Sequence, residues 1–253
     1  MQTSKQHHSE LVLPTKLEWR IPQQFKRELY FALKRLMDIT GALVALLIAA
    51  VPMLIIALAV KLDSPGPVIF RQQRVGARRR RVGNREVWDI YTFTFYKFRS
   101  MTHNADQNVH REYIKALMHN DRAKMAALNG EGEKNGTHKL VNDRRVTRVG
   151  HFIRRTSLDE LPQLFNVLKG DISLVGPRPP IPYEVEEYDN WQHLRLATKP
   201  GVTGWWQVTA RSSADFDEMV KLDIWYIQHQ SLWLDLQILA KTPKAILGGK
   251  GAH

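Results

Sequence analysis

Apolar and polar positions divide the chain unevenly. From Ile39 to Val60 the sequence ITGALVALLIAAVPMLIIALAV carries no charge, and it reaches the roughly 20 residues that a helix needs to cross hydrocarbon. Residues 1–28 are polar and weakly patterned, which reads as a surface-lying extension. After the apolar run, Asp63-Ser64-Pro65-Gly66-Pro67 makes a turn and Val68-Ile69-Phe70 a short strand. Tyr91 to Arg99 is rich in aromatic and β-branched residues, as a strand requires, and its period of two sets Lys97 and Arg99 on one face. Residues 106–128 read as a polar helix, and Asn129 to His138, with Gly130, Gly132 and Gly136, as a loop. Ser231 suits the N-cap of an apolar-rich helix through Ile238 and Leu239.

The apolar run does not read as a simple span. Pro52 lies inside it, where a missing N–H and a bulky ring bend a helix. Basic residues flank both ends, Lys34 and Arg35 before it and Lys61, Arg71 and Arg74 after it, whereas a span shows a one-sided excess. A re-entrant helix that dips into one leaflet and returns accounts for both features. A plain span with a tolerated proline stays open, and a buried core helix is the weaker alternative, because such helices seldom run so far without a charge. A cleaved signal peptide does not fit, since the run starts far from Met1 and exceeds an h-region of about 7 to 15 residues. The expected organisation is an extension over residues 1–28, a Pro52-broken membrane helix over 29–62, and an α+β, helix-rich domain over 63–253.

Composition narrows the chemistry. The 253 residues contain no cysteine, which excludes disulfide frameworks, thiolate metal sites and a cysteine nucleophile. Lys and Arg number 37 against 25 Asp and Glu, so the formal net charge of +12 calls for an anionic partner: nucleic acid, anionic lipid or a phosphorylated small molecule. The four arginines Arg78 to Arg81 read as solvated surface or as a lipid contact. Trp205, Trp206, Trp225 and Trp233 suit either the membrane interface or core packing.

Two stretches carry candidate chemistry. In RRTSLDELPQLFN, Ser157 and Glu160 have the spacing of a capping box, and Arg154 and Arg155 precede the adjacent carboxylates Asp159 and Glu160. A helix N-terminus favours bound oxyanions, and a carboxylate kept ionised there can attack phosphorus. Further on, Pro177 and Pro179 stiffen the backbone around Arg178, which suits a phosphate ligand. On these residues alone, plain helix capping for Ser157 and Glu160, a rigid surface turn around Arg178 and exposed strand charges for Lys97 and Arg99 stay open as alternative readings.

Lys34-Arg35 with Asp38 ahead of the apolar run, then SPGPVIFRQQRVG, YKFRSM, RVTRVGHFIRRTSLDELPQLFNVLKGDISLVGPRP, KPGVTGWWQV and LDLQILAKTPKAIL, resemble the bacterial sugar transferases. These are monotopic polyprenyl-phosphate sugar-1-phosphate transferases. The resemblance runs from about Lys34 to the C-terminus, interrupted over residues 103–142. It implies a cytoplasmic catalytic domain on the bacterial inner membrane, a UDP-sugar donor (glucose or galactose), undecaprenyl phosphate as acceptor and UMP as product. It also implies that Asp159 is the nucleophile, forming a covalent phosphosugar intermediate. Glu160 would assist through Mg2+ (or Mn2+) or proton handling, and Lys97, Arg99, Arg155 and Arg178 would bind phosphate. In that family a Ser-Pro pair often breaks the membrane helix, where this chain has Val51-Pro52. The competing reading is a membrane-tethered basic scaffold holding anionic lipid or nucleic acid without catalysis. No nucleic-acid module is recognisable, so no nucleic-acid partner is expected, and homo-oligomerisation is left open.

Overall fold

The computed structural model describes residues 16–19, 24–83, 85–105, 108–119, 121–129, 143, 145–210 and 214–247. The loop expected at 129–138 lies, beyond Asn129, outside these residues. Strand β1 (Lys16–Trp19) precedes α1 (Gln24–Asp63), a 40-residue helix with Pro52 inside it. The hairpin β2 (Ile69–Val82) and β3 (Arg85–Phe98) follows, then α2 (Asn108–Met118) and α3 (Arg122–Asn129). Shorter pieces complete the chain: α4 (Arg148–Arg155), a 3-10 turn at Leu158–Glu160, α5 (Gln163–Lys169), β4 (Ser173–Val175) and α6 (Pro182–Val185). A 3-10 stretch at Gln192–Leu196, β5 (Gly201–Thr203), α7 (Trp205–Thr209), α8 (Phe216–His229) and α9 (Leu232–Leu247) close it. The class is α+β and helix-rich, with one long apolar helix compatible with a monotopic membrane protein.

Leu, Ile, Ala and Val offer no side-chain group that competes for backbone hydrogen bonds, so the apolar run forms an uninterrupted helical tract. Only one stripe of α1 is buried, at Ala42, Ala49, Ile56 and Val60, while Leu47, Ile48, Val51 and Leu54 are each at least two-thirds exposed. Polar contacts fix both ends of the helix to the globular domain. At the N-terminal side Lys34 Nζ lies 2.8 Å from Asp235 Oδ2, and Asp38 Oδ1 accepts from Ser173 Oγ and the Leu174 N–H, both at 2.9 Å. At the C-terminal side Asp63 Oδ2 accepts from the Val149 N–H at 3.0 Å, and Arg99 donates to the carbonyls of Val60 and Ser64. Those last carbonyls have no partner within the helix, so a guanidinium satisfies them and complements the helix dipole.

The hairpin is longer than the sequence pattern suggested. Residues Ile69 to Val82 pair antiparallel with Phe98 to Arg85, leaving a two-residue connection that starts at Gly83 with φ of 59°. Arg78 to Arg81 belong to β2, where Arg78, Arg80 and Arg81 are exposed as expected of a solvated tract; Arg80 pairs with Asp89, and the half-buried Arg79 pairs with Glu28 and Glu86 while stacking over Phe31. Part of the N-terminal extension also joins the fold, since Lys16–Trp19 pairs with Asp89–Glu86. The stretch read as one polar helix is two, with α2 burying Tyr113, Ile114, Leu117 and Met118. These residues pack with Val75, Trp206, Phe216 and Val220 in one core, and Ala42, Phe93, Phe95, Leu164, Val167 and Ile172 make a second that joins α1, β3 and α5. Ser231 caps α9 as expected, its Oγ accepting from the Leu234 N–H at 3.2 Å.

The Lys34–Asp235 pair is almost solvent-free, and Asp235 also accepts from the Tyr30 and Tyr226 hydroxyls at 3.0 and 2.7 Å. Removing one side of such a pair strands a buried charge. Asp235→Ala is therefore expected to destabilise the detergent-solubilised protein by about 3–5 kcal/mol, read by thermal or denaturant unfolding.

Candidate active site

Helix α4 delivers the chain to the site. Thr147 Oγ1 caps it by accepting from the Gly150 N–H at 3.0 Å. Gly150 packs so closely on the end of the hairpin that a Cβ there would sit 2.0 Å from the Ser100 carbonyl oxygen. After Arg155 the chain turns at Ser157, whose backbone is left-handed (φ 57°, ψ 17°) and whose side chain makes no capping hydrogen bond. The expected capping box is therefore absent, and Pro162 explains why. An α-helix starting at Leu158 would need an N–H at position 162 to reach the Leu158 carbonyl, and proline has none. The Leu161 N–H bonds that carbonyl instead, closing the tighter 3-10 turn that presents Asp159 and Glu160. Helix α5 then starts at Gln163.

Lys97 reaches both carboxylates from β3: its Nζ lies 2.8 Å from Glu160 Oε1 and 3.7 Å from Asp159 Oδ2. Asp159 is buried, and Glu160 and Lys97 are only slightly more open. Asn166 sets the register between the two elements. Its Oδ1 accepts from the Tyr96 N–H at 3.1 Å and its Nδ2 donates to the Thr94 carbonyl at 2.7 Å. The amide thus serves β3 as a neighbouring strand would, one residue from Lys97.

The loop through Arg178 is bolted on two sides. The Gly201 N–H donates to the Pro177 carbonyl at 2.8 Å, the Val75 N–H to Pro180 at 2.9 Å, and Arg74 Nη1 to Pro179 at 2.9 Å. Gly176 and Gly201 let β4 and β5 touch: a Cβ on Gly201 would lie 2.1 Å from the Gly176 nitrogen. Arg178 itself is half-buried and makes no hydrogen bond or ion pair with any described residue. Burial, with the Arg178 charge next, pushes Arg74 down to about 10, so it stays cationic at neutral pH. Burial also lowers Arg154, with Arg145 and Arg178 pressing the same way against Asp159 and Asp143. Four guanidinium groups thus bear on one another beside a buried carboxylate, an excess of positive charge that a bound anion would relieve.

Not every expected phosphate ligand is brought together. Lys97 and Arg178 stand in the neighbourhood of the carboxylates, but Arg99 turns away: its guanidinium is buried and donates to Val60, Ser64 and Pro67 carbonyls. Strand pairing ends at Phe98, so the period of two no longer places residue 99. Arg155 is exposed, and Arg154 faces Asp159 instead, since it shares the helix face of Gly150 and Ile153. Arg74 and Arg145 also went unrecognised in the sequence. Glu160 was expected to touch a metal; among the described residues no group of three or more His, Asp or Glu side chains converges.

The site thus joins a buried aspartate and a glutamate that share one lysine, with arginines beside them and an apolar helix packed against the same domain. The chain belongs to the bacterial sugar transferase family, whose model matches residues 29–249. It is 43% identical to the galactosyl transferase CpsE of Streptococcus agalactiae, over 90% of this chain and 45% of that one. It is 45% identical to the undecaprenyl-phosphate galactose phosphotransferase of Salmonella typhimurium, over 87% of this chain and 42% of the relative. The exopolysaccharide production protein ExoY of Rhizobium meliloti is 36% identical over 87% of this chain and 88% of its own length. The chain therefore spans less than half of the first two relatives and nearly nine-tenths of the third.

Ser157 offers a check on the turn. A left-handed residue with a side chain costs about 1–2 kcal/mol, so Ser157→Gly is expected to leave stability unchanged or raise it, and Ser157→Val to lower it by about 1–2 kcal/mol. Thermal unfolding of the two variants in detergent reads both.

Proposed function

We propose that this chain transfers a sugar 1-phosphate from a UDP-sugar to undecaprenyl phosphate through a covalent intermediate on Asp159. The supporting observation is a buried carboxylate beside Lys97, facing an arginine cluster in which Arg178 has no described partner. An Asp159 oxygen attacks the phosphorus that bears the sugar; the bond from that phosphorus to the bridging oxygen breaks, and UMP leaves with the electron pair. An oxygen of the lipid phosphate then attacks the same phosphorus and displaces the carboxylate, which is regenerated. Arg154, Arg178 and Arg74 hold the phosphate charge, and Lys97 orients the two carboxylates. Mg2+ takes only one or two carboxylates besides substrate phosphates. The Asp159–Glu160 pair suits it, with Glu160 as the protein ligand, and the ion when bound would neutralise charge on the diphosphate.

The same reading places the domain on the cytoplasmic face of the inner membrane, with α1 entering and leaving the same side and bending at Pro52. In its support, both ends of α1 are fixed to one domain and its outer stripe is apolar. Phe152, Phe165, Trp233 and Leu236, on the helices that pack against α1, are also at least 48% exposed. Trp206, by contrast, is core.

Two experiments test these proposals. Intact-protein mass spectrometry with Mg2+ and UDP-galactose, chosen because two relatives are named for galactose transfer, is expected to show one added sugar phosphate. Undecaprenyl phosphate should discharge it and Asp159→Asn should abolish it; an adduct that persists in Asp159→Asn removes the nucleophile assignment. Because the chain has no cysteine, single Glu28→Cys and Arg71→Cys variants report topology cleanly. An impermeant maleimide is expected to label both from the same side of membrane vesicles, and labelling from opposite sides would establish a span.

A further inference from the structure

One half-buried histidine beside the arginine cluster has no part in the mechanism above. His110 lies on α2, in the interval 103–142 where the sequence resemblance is interrupted, and its Nδ1 is 2.6 Å from the Tyr183 hydroxyl. The rings meet edge to face, with centroids 6.3 Å apart. Tyr183 sits on α6, three residues after Pro180, in the segment that Arg74 and Val75 bolt to β2. Arg74, Arg178, Arg145 and Arg154 all bear on the imidazole. Helix α2, helix α6, strand β2 and the Arg178 loop therefore converge on this one ring.

We propose that His110 donates a hydrogen bond from Nε2 to the diphosphate of the nucleotide donor, positioned by Tyr183. This inference rests on the donor reading above. Burial and then the Arg74 and Arg178 charges press His110 down to about 3, so the ring is neutral at physiological pH. Burial and then Glu184 push the Tyr183 phenol up to about 12, so it keeps its proton. With the phenol as donor to Nδ1, the imidazole hydrogen sits on Nε2, which makes no hydrogen bond with any described residue. A fifth cation here would add to the mutual repulsion of the arginines. A neutral N–H contributes a charge-assisted hydrogen bond to a phosphate oxygen without that repulsion.

The test is calorimetric binding of UDP and of inorganic pyrophosphate to the detergent-purified full chain with Mg2+. His110→Phe keeps the ring volume and removes both nitrogens; it is expected to weaken both ligands alike by about tenfold, the scale of a hydrogen bond to a charged group. His110→Gln, which retains a donor, should recover most of that loss, and Tyr183→Phe, which frees the tautomer, should weaken both ligands about threefold. Unliganded thermal unfolding identifies any variant that fails to fold; the remaining variants then carry the comparison. Unchanged affinity in His110→Phe overturns the proposal, as does a loss confined to UDP, which would place the imidazole on the uridine. A wild-type chain that binds neither ligand overturns the donor reading itself, before any variant is compared.

Discussion

The architecture depends on keeping both ends of an apolar helix on one globular body. A straight 40-residue helix would extend about 60 Å, and hydrophobic contact alone does not specify where along α1 the domain should sit. Polar contacts do. Lys34 and Asp38 fix the N-terminal side to α9 and β4, and Arg99 and Asp63 fix the C-terminal side to the hairpin end and α4. Each pairs a charge with a partner that has little other solvation, so sliding the helix by one turn would strand several buried polar groups at once. The register of α1 in turn sets the position of α4, and through it the Ser157 turn that carries the two carboxylates.

This explains a division among the cations. Arg99, Arg35 and Arg79 are spent on carbonyls and carboxylates within the fold: Arg35 on Val167 and Leu168, Arg79 on Glu28 and Glu86, and Arg99 on the end of α1. Arg74 and Arg178 belong to a second group that faces both cations and carboxylates: Arg74 is tied to Gln72 and the Pro179 carbonyl and feels the Arg178 charge, with Glu184 and Glu160 opposing it. Gathering them opposes folding through mutual repulsion, yet their positions follow from rigid backbone features: the proline-flanked loop, the glycine contact between β4 and β5, and the β2 carbonyl bonds. The scaffold tolerates that repulsion locally, and an anion arriving at the site meets donors already in place.

The sequence conveyed the helix-rich α+β class, the single apolar helix and the adjacency of Asp159 and Glu160, because these depend on composition and on residues next to one another. It misplaced what depends on a local conflict. Ser157 and Glu160 obey the capping-box spacing, but the missing N–H of Pro162 vetoes the helix, a rule legible in the same segment and stronger than the first. Arg154 could have been preferred to Arg155 by placing it on the face with Gly150 and Ile153. Arg99 lay beyond reach of pattern, since its partners sit 32 or more positions back along the chain in α1 and the turn after it. The polar look of residues 106–128 hid the buried face of α2, and with it the contact between His110 and Tyr183.

The net charge of +12 invited readings based on anionic surfaces, and the structure redistributes that charge in a way that bears on them. The densest basic tract, Arg78 to Arg81, is held in part by Glu28, Glu86 and Asp89, so its capacity for sequence-independent binding to a polyanion is reduced. The cations left facing one another lie instead beside Asp159, alongside a neutral imidazole. A long polyanion engages exposed charge over an extended face, whereas a half-buried cluster of cations suits a compact phosphate group. That distribution supports the proposed small phosphorylated donor over a scaffold's diffuse basic surface, and in that proposal the buried Asp159 is the group that reacts with it.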